Sequence, residues 1–137
     1  MKMRFAIAGA LTAIAVGGFL APSAAHADTP AGSADGNFYA WNEWRYSGHK
    51  CAWQGNSADW TGAGCRNQAS SVWNNGYLGG NDDVRMYWDT NYGGASICLW
   101  RGTYIENLQS VSFPNNGAGA GQNANDNISS HKWVSSC

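Results

Sequence analysis

From about residue 38 onward, Trp, Tyr, Val and Ile alternate with polar residues in short runs. The runs are broken by Asn74-Asn75-Gly76, by Gly79-Gly80-Asn81-Asp82-Asp83 and by Tyr92-Gly93-Gly94. No stretch places apolar residues at i, i+3, i+4 and i+7 over three turns. Alternation near a period of two, with turn signals at close intervals, predicts short strands in a sandwich or barrel and little helix. The start of the chain is patterned differently. Lys2 and Arg4 precede an apolar stretch from Phe5 to Leu20, softened by Gly9, Gly17 and Gly18, and Ala25-His26-Ala27 supplies a small-x-small cleavage pattern. Sixteen residues fall short of the ~20 that span a bilayer. Residues 1–27 therefore read as a signal peptide, with a retained anchor as the competing reading. Residues 28–37, small, polar and Gly/Pro-bearing, read as a flexible arm. The remainder is of a size for one domain.

An internal repeat narrows the architecture. Trp41, Tyr46 and Gly48 stand at i, i+5 and i+7, and Tyr87, Tyr92 and Gly94 repeat that spacing. Glu43 and Asp89 each lie two residues after the leading aromatic. Cys51-Ala52-Trp53-Gln54-Gly55 is matched by Cys98-Leu99-Trp100-Arg101-Gly102. Each half closes on a Ser-Ser pair before a tryptophan, Ser70-Ser71 before Trp73 and Ser129-Ser130 before Trp133. The aromatics at i and i+5 can meet across a folded-over hairpin, and the glycine supplies a backbone conformation that a Cβ resists. Each half is too small to bury its aromatic face alone, so the two halves should pack together. The second half carries extra length at 115–125, NNGAGAGQNAN, which reads as a mobile surface loop.

Cysteine content and charge limit the function classes. Four cysteines, Cys51, Cys65, Cys98 and Cys137, in a small exported chain read as two disulfides. A zinc site is the competing reading, but no C-x-x-C pair supports it. Three connectivities remain open, and the repeat favours Cys51–Cys65 and Cys98–Cys137, each inside its own half. The chain has 8 basic and 9 acidic residues; without Lys2 and Arg4 the balance is six against nine, about −3. A weakly acidic domain without a basic run gives no reason to expect nucleic acid as a partner. No second apolar stretch suggests a membrane after signal cleavage.

The spaced aromatics and glycine, followed by (Asn/Asp)-(Asn/Asp)-x-x-(Ser/Thr)-Ser, resemble the microbial βγ-crystallin signature. Asn125-Asp126-Asn127-Ile128-Ser129-Ser130 fits the second element throughout, and Arg66-Asn67-Gln68-Ala69-Ser70-Ser71 departs from it only at Arg66. Within that superfamily, NQASSVWNN, YWDTNYGG, the leader and the cysteines are similar to secreted actinobacterial proteins grouped with the streptomycete metalloproteinase inhibitors. The resemblance spans residues 38–137. It implies an all-β, disulfide-stapled sandwich of two four-stranded Greek-key motifs, about 38–78 and 84–137. It also implies calcium, which takes six to eight oxygen ligands. The resemblance shares each ion between the Ser-Ser loop of one motif and the hairpin of the other. Asn125, Asp126, Ser129 and Glu43 would form one site, and Asn67, Ser70 and Asp89 a weaker second site beside Arg66. These Asn, Asp and Ser residues could equally serve as turn caps. Asn127-Ile128-Ser129 also matches a glycosylation sequon, a coincidence in a bacterial-looking chain.

Of the eight tryptophans, Trp41, Trp53, Trp73, Trp88, Trp100 and Trp133 fall at or beside repeat-related strand positions and are expected to fill the core. Trp44 and Trp60 lack equivalents and are the candidates for a surface patch, for example against sugar rings. Nothing supports catalysis: there is no Gly-x-Ser-x-Gly, no His-Glu-x-x-His and no reduced Cys-His pair. No organic cofactor is indicated. The resulting expectation is a secreted, monomeric, non-enzymatic binder of an extracellular protease, with a metalloprotease as the target that the resemblance implies. The disulfide-closed loop 51–65, carrying Trp53 and Trp60, is the candidate inhibitory element. The alternatives are a calcium-binding structural module and a toxin-like or cell-wall-binding protein.

Overall fold

The computed structural model describes residues 32–137, so the signal-peptide reading and the first four residues of the arm, 28–31, lie outside the described residues. Among the described residues seven strands form: β1 (Asn37–Trp41), β2 (Lys50–Trp53), β3 (Ser71–Asn75), β4 (Asp83–Tyr87), β5 (Ser96–Leu99), β6 (Tyr104–Ile105) and β7 (Ser130–Val134). Helix among the described residues is confined to two single 3₁₀ turns at Trp60–Ala63 and Leu108–Ser110. One antiparallel sheet has the order β2-β1-β3-β6, the other β5-β4-β7.

The halves exchange strands. β6 belongs to the second half but pairs with β3 of the first, Val72 opposite Ile105 and Trp73 opposite Tyr104. The reciprocal strand, expected to make the second sheet four-stranded, is reduced to one bridge between Ser57 and His131, with N–H···O distances of 3.1 and 2.9 Å. It goes no further because Asn56 Oδ1 takes the next free N–H, that of Trp133, at 2.8 Å. On the other side Asp59 caps the 3₁₀ turn through the Thr61 N–H.

Alternation decides which side chains enter the core. Phe38, Ala40 and Val72 from one sheet meet Val84, Met86 and Leu99 from the other, closed by Leu108, Phe113 and Ile128. The repeat has its expected local form. Trp41 and Tyr46 meet edge to face at 5.4 Å, Tyr87 and Tyr92 at 5.8 Å. Gly48 and Gly94 have φ of 78° and 77°, each after two left-handed residues, Arg45-Tyr46 and Asn91-Tyr92. At Gly48 a Cβ would lie 2.2 Å from Asn42 Oδ1.

Several expectations are corrected. The pairing Trp41↔Lys50 is matched by Tyr87↔Ser96, so Cys51 is equivalent to Ile97 and Trp53 to Leu99. The Cys-x-Trp motif of the second half thus enters its strand one residue late, which turns it to the opposite face. Trp53 consequently stacks on Phe38 at 5.8 Å, whereas Trp100 is 63% exposed rather than a core residue. Trp60, expected at the surface, is 0% exposed. The segment 115–125 is not a loose loop: Asn116 bonds both the N–H and the C=O of Ser96, and Trp88 Nε1–H donates to Gln122 Oε1 at 3.0 Å. The end of the arm is also tied down, since the Asp35 and Gly36 N–H groups both donate to Asn75 O. The disulfides are Cys51–Cys65 and Cys98–Cys137, as the repeat favours. The clusters with metal-ligand composition, His49-Cys51-Cys65 and Asp83-Cys98-Cys137, both contain bonded cystines, so neither presents thiolates to zinc.

Candidate functional site

Two regions concentrate the residues singled out from the sequence. The first is where the Ser-Ser loops of the two halves cross. Their backbones bond reciprocally, Asn67 N–H to Ile128 O and Asp126 N–H to Ala69 O, both at 2.9 Å. Asn67 and Asp126 occupy the same left-handed conformation, φ 54° and 55°. The second serine of each pair clamps its own hairpin. Ser71 Oγ donates to Glu43 O at 2.7 Å and accepts from the Tyr46 N–H at 3.0 Å. Ser130 Oγ does the same with Asp89 O at 2.6 Å and the Tyr92 N–H at 3.1 Å.

The first serines divide differently from the expected ligand sets. Ser129, expected beside Glu43, is buried and donates to Asn67 Oδ1 at 3.0 Å. Ser70, expected beside Asp89, instead lines a cleft of about 230 Å³ with Glu43, Trp44, Asn107, Gln109 and Asn125. The exchange follows from the crossing of the loops, which brings each motif's first serine beside the other motif's Asn/Asp pair. Burial, together with repulsion from Glu43, raises the Asp126 carboxyl above its ordinary value. Asn125 Oδ1 is enclosed and has no hydrogen-bond donor. An orphaned acceptor, a hydroxyl and two mutually repelling carboxylates form a set of hard oxygen donors suited to calcium. The other set is less suited. Asn67 Oδ1 already accepts one hydrogen bond, and the Arg66 guanidinium lies 3.8 Å from the Asp89 carboxylate, where a dication would have to compete with it.

The second region is the loop closed by Cys51 and Cys65. Trp60 anchors it, stacked on Trp53 at 4.7 Å and close to Phe38 at 5.8 Å. Its indole N–H donates to His131 Nδ1 at 2.9 Å, and His131 Nε2 lies 2.9 Å from Gly55 O. An indole N–H only donates and a carbonyl only accepts, so the imidazole must be neutral with its proton on Nε2. Desolvation of the buried ring lowers its pKa to about 4, against a weaker opposing effect of the Gly55 carbonyl. Three further bonds fix the loop to the second half: Trp60 N–H to Ser129 O, Asn91 N–H to Ala58 O and Trp133 N–H to Asn56 Oδ1. The tip, Thr61–Gly64, is exposed and ends at Cys65.

Of the tryptophans proposed for binding, Trp60 is a core anchor, Trp53 is half-buried against it, and Trp44 is 52% exposed with the Arg45 guanidinium 4.6 Å over its ring. His131 was not singled out from the sequence. The signal was present: with Ser71 aligned to Ser130, His131 takes the inward position of Val72.

A family model described as peptidase inhibitor family I36 matches residues 26–99. Similar solved structures are βγ-crystallin domains. One, solved in work on the evolution of the eye-lens βγ-crystallin domain fold, is 23% identical, with 76% of this chain and 91% of that one covered at a TM-score of 0.56. An archaeal βγ-crystallin is 16% identical, with coverages of 72% and 96% and a TM-score of 0.53. One from Ciona intestinalis is 17% identical, with 72% and 99% covered at 0.52. At these identities the likeness is one of fold. No curated protein matches the sequence.

Proposed function

The chain belongs to peptidase inhibitor family I36, and we propose that it acts outside the cell as a monomeric inhibitor of a metalloprotease. The observation that carries this reading is the loop 51–65. It is closed at its base by a disulfide, pinned through Trp60 to the core and fastened by His131, with Thr61–Gly64 left exposed. Such a loop can enter a cleft with little loss of conformational freedom, which is the main cost that a flexible ligand incurs. Held at both ends, it would also not separate after a cut. An inhibitor fold and the residues of the loop supply binding surface rather than catalytic groups. The two disulfides suit an oxidising, extracellular setting.

The test is titration of the oxidised protein against a thermolysin-like metalloprotease, with a serine protease as control and calcium in excess. A stoichiometric fall confined to the metalloprotease is expected, lost after verified reduction of the disulfides. Unchanged activity at large molar excess would overturn the reading.

A second reading is favoured by the orphaned Asn125 Oδ1. Glu43, Ser70, Asn125 and Asp126 would hold calcium between the two halves and thereby stabilise the fold. Calcium should raise the melting temperature of wild type but not of Asn125→Ala or Asp126→Ala. An equal rise in all three proteins would exclude this cradle.

A further inference from the structure

A groove of about 450 Å³ lies between the linker joining the two halves and the first part of the disulfide loop, away from the crossing Ser-Ser loops. Its volume is in the range of small-ligand sites. Gln54 and Asn56 line one side, Tyr77, Leu78 and Asn81 the other, and Trp133 also lines it. No Asp, Glu, Lys, Arg or His lines it, in a protein whose charged residues are otherwise spread over the surface.

The polar side chains are carboxamides, each able to donate and accept at once. Asn56 uses its oxygen for the Trp133 N–H, which leaves its NH₂ to donate. Gln54 and Asn81 are exposed. Glycines leave the intervening backbone uncovered. The aromatic component is held in place from behind. A Cβ on Gly36 would lie 2.6 Å from Tyr77 Cε2, so one part of the Tyr77 ring rests on the Gly36 backbone while the residue remains 64% exposed. Likewise a Cβ on Gly76 would lie 2.5 Å from Trp133 Cζ3. The linker is shaped in advance: buried Asn74 accepts from the Gly76 N–H and donates to Asp82 O and Leu99 O, and Asp82 accepts from the Gly79 N–H.

We propose that this groove binds a neutral oligosaccharide. Sugar hydroxyls donate and accept like the carboxamides that would meet them, and the C–H face of a pyranose suits the exposed Tyr77 ring and Leu78. An anionic polysaccharide would find no cation in the groove, and a basic peptide no carboxylate. The groove shares Gln54, Gly55 and Asn56 with the base of the loop 51–65 but uses neither its exposed tip nor the calcium-type cradle.

The test is an NMR titration of amide shifts with chitotriose and cellotriose as neutral probes, and with oligogalacturonate and an apolar Leu-rich peptide as controls. Saturable shifts at 54–56 and 76–81 with a neutral trisaccharide are expected, with affinity at least about tenfold weaker in Tyr77→Ala and reduced in Gln54→Ala. Both side chains are exposed, so the variants should keep the wild-type spectrum elsewhere. No shifts from either neutral probe up to about 10 mM would overturn the proposal. So would shifts located elsewhere, a response to the peptide or the anionic probe alone, or unchanged affinity in Tyr77→Ala.

Discussion

Acidification should unfasten the loop 51–65 through one side chain. His131 accepts from Trp60 through Nδ1 and donates from Nε2 to Gly55 O, so a proton arriving on Nδ1 would face the indole N–H. In the unfolded chain the imidazole takes up a proton near 6.5, but in the fold only near 4. Between these values the unfolded state binds more protons, so stability falls as the pH is lowered from about 6.5 to about 4. Above that window the contribution is whole, and below it the loss is complete. At about 1.4 kcal/mol per pH unit, the loss amounts to about 3 kcal/mol, a large part of the stability of a domain this size. Urea unfolding followed by tryptophan fluorescence at steps from pH 7 to 4 measures it. His131→Gln provides the reference, since its carboxamide can both accept and donate at the same place without titrating. Carboxylates shared by the two proteins cancel in the difference. The stability difference between wild type and variant should shift by about 3 kcal/mol towards the variant across the window. Parallel curves, or an imidazole resonance of folded His131 titrating between 6 and 7, would refute the reasoning.

Other substitutions test the rest of the frame. Trp60→Ala should cost about 3–5 kcal/mol and abolish inhibition, because it removes a fully buried side chain and the anchor of the loop; thermal melts and a protease titration would show both effects. Ser71→Ala and Ser130→Ala should each cost about 1–2 kcal/mol, as each strands a hairpin N–H and C=O. A neutral result at either position in urea unfolding would mean that the serine is not a clamp. Gly48→Ala should destabilise by more than about 1 kcal/mol, since a Cβ there meets both a positive φ and Asn42 Oδ1. Gly55→Ala, with open space around its Cβ position, is the matched control in the same melts.

What the sequence determined by itself is local. The spacing of Trp41, Tyr46 and Gly48, repeated at Tyr87, Tyr92 and Gly94, is a chemical description of one folded hairpin, whose contacts lie within eight residues. The repeat also favoured pairing the cysteines within each half. Tertiary structure decided everything that depended on which half meets which. The bridge between Ser57 and His131 brings residues 54–60 against β7, which gives His131 its partners Trp60 and Gly55. The crossing of the Ser-Ser loops assigns Ser70 to Glu43 and Ser129 to Asn67, the reverse of the expected grouping. A one-residue difference in where the second Cys-x-Trp enters its strand sends Trp100 outward. The pattern of a strand records that one face is buried but not which partner buries it. Its register is set by the pairing that encloses the most apolar surface across distant parts of the chain.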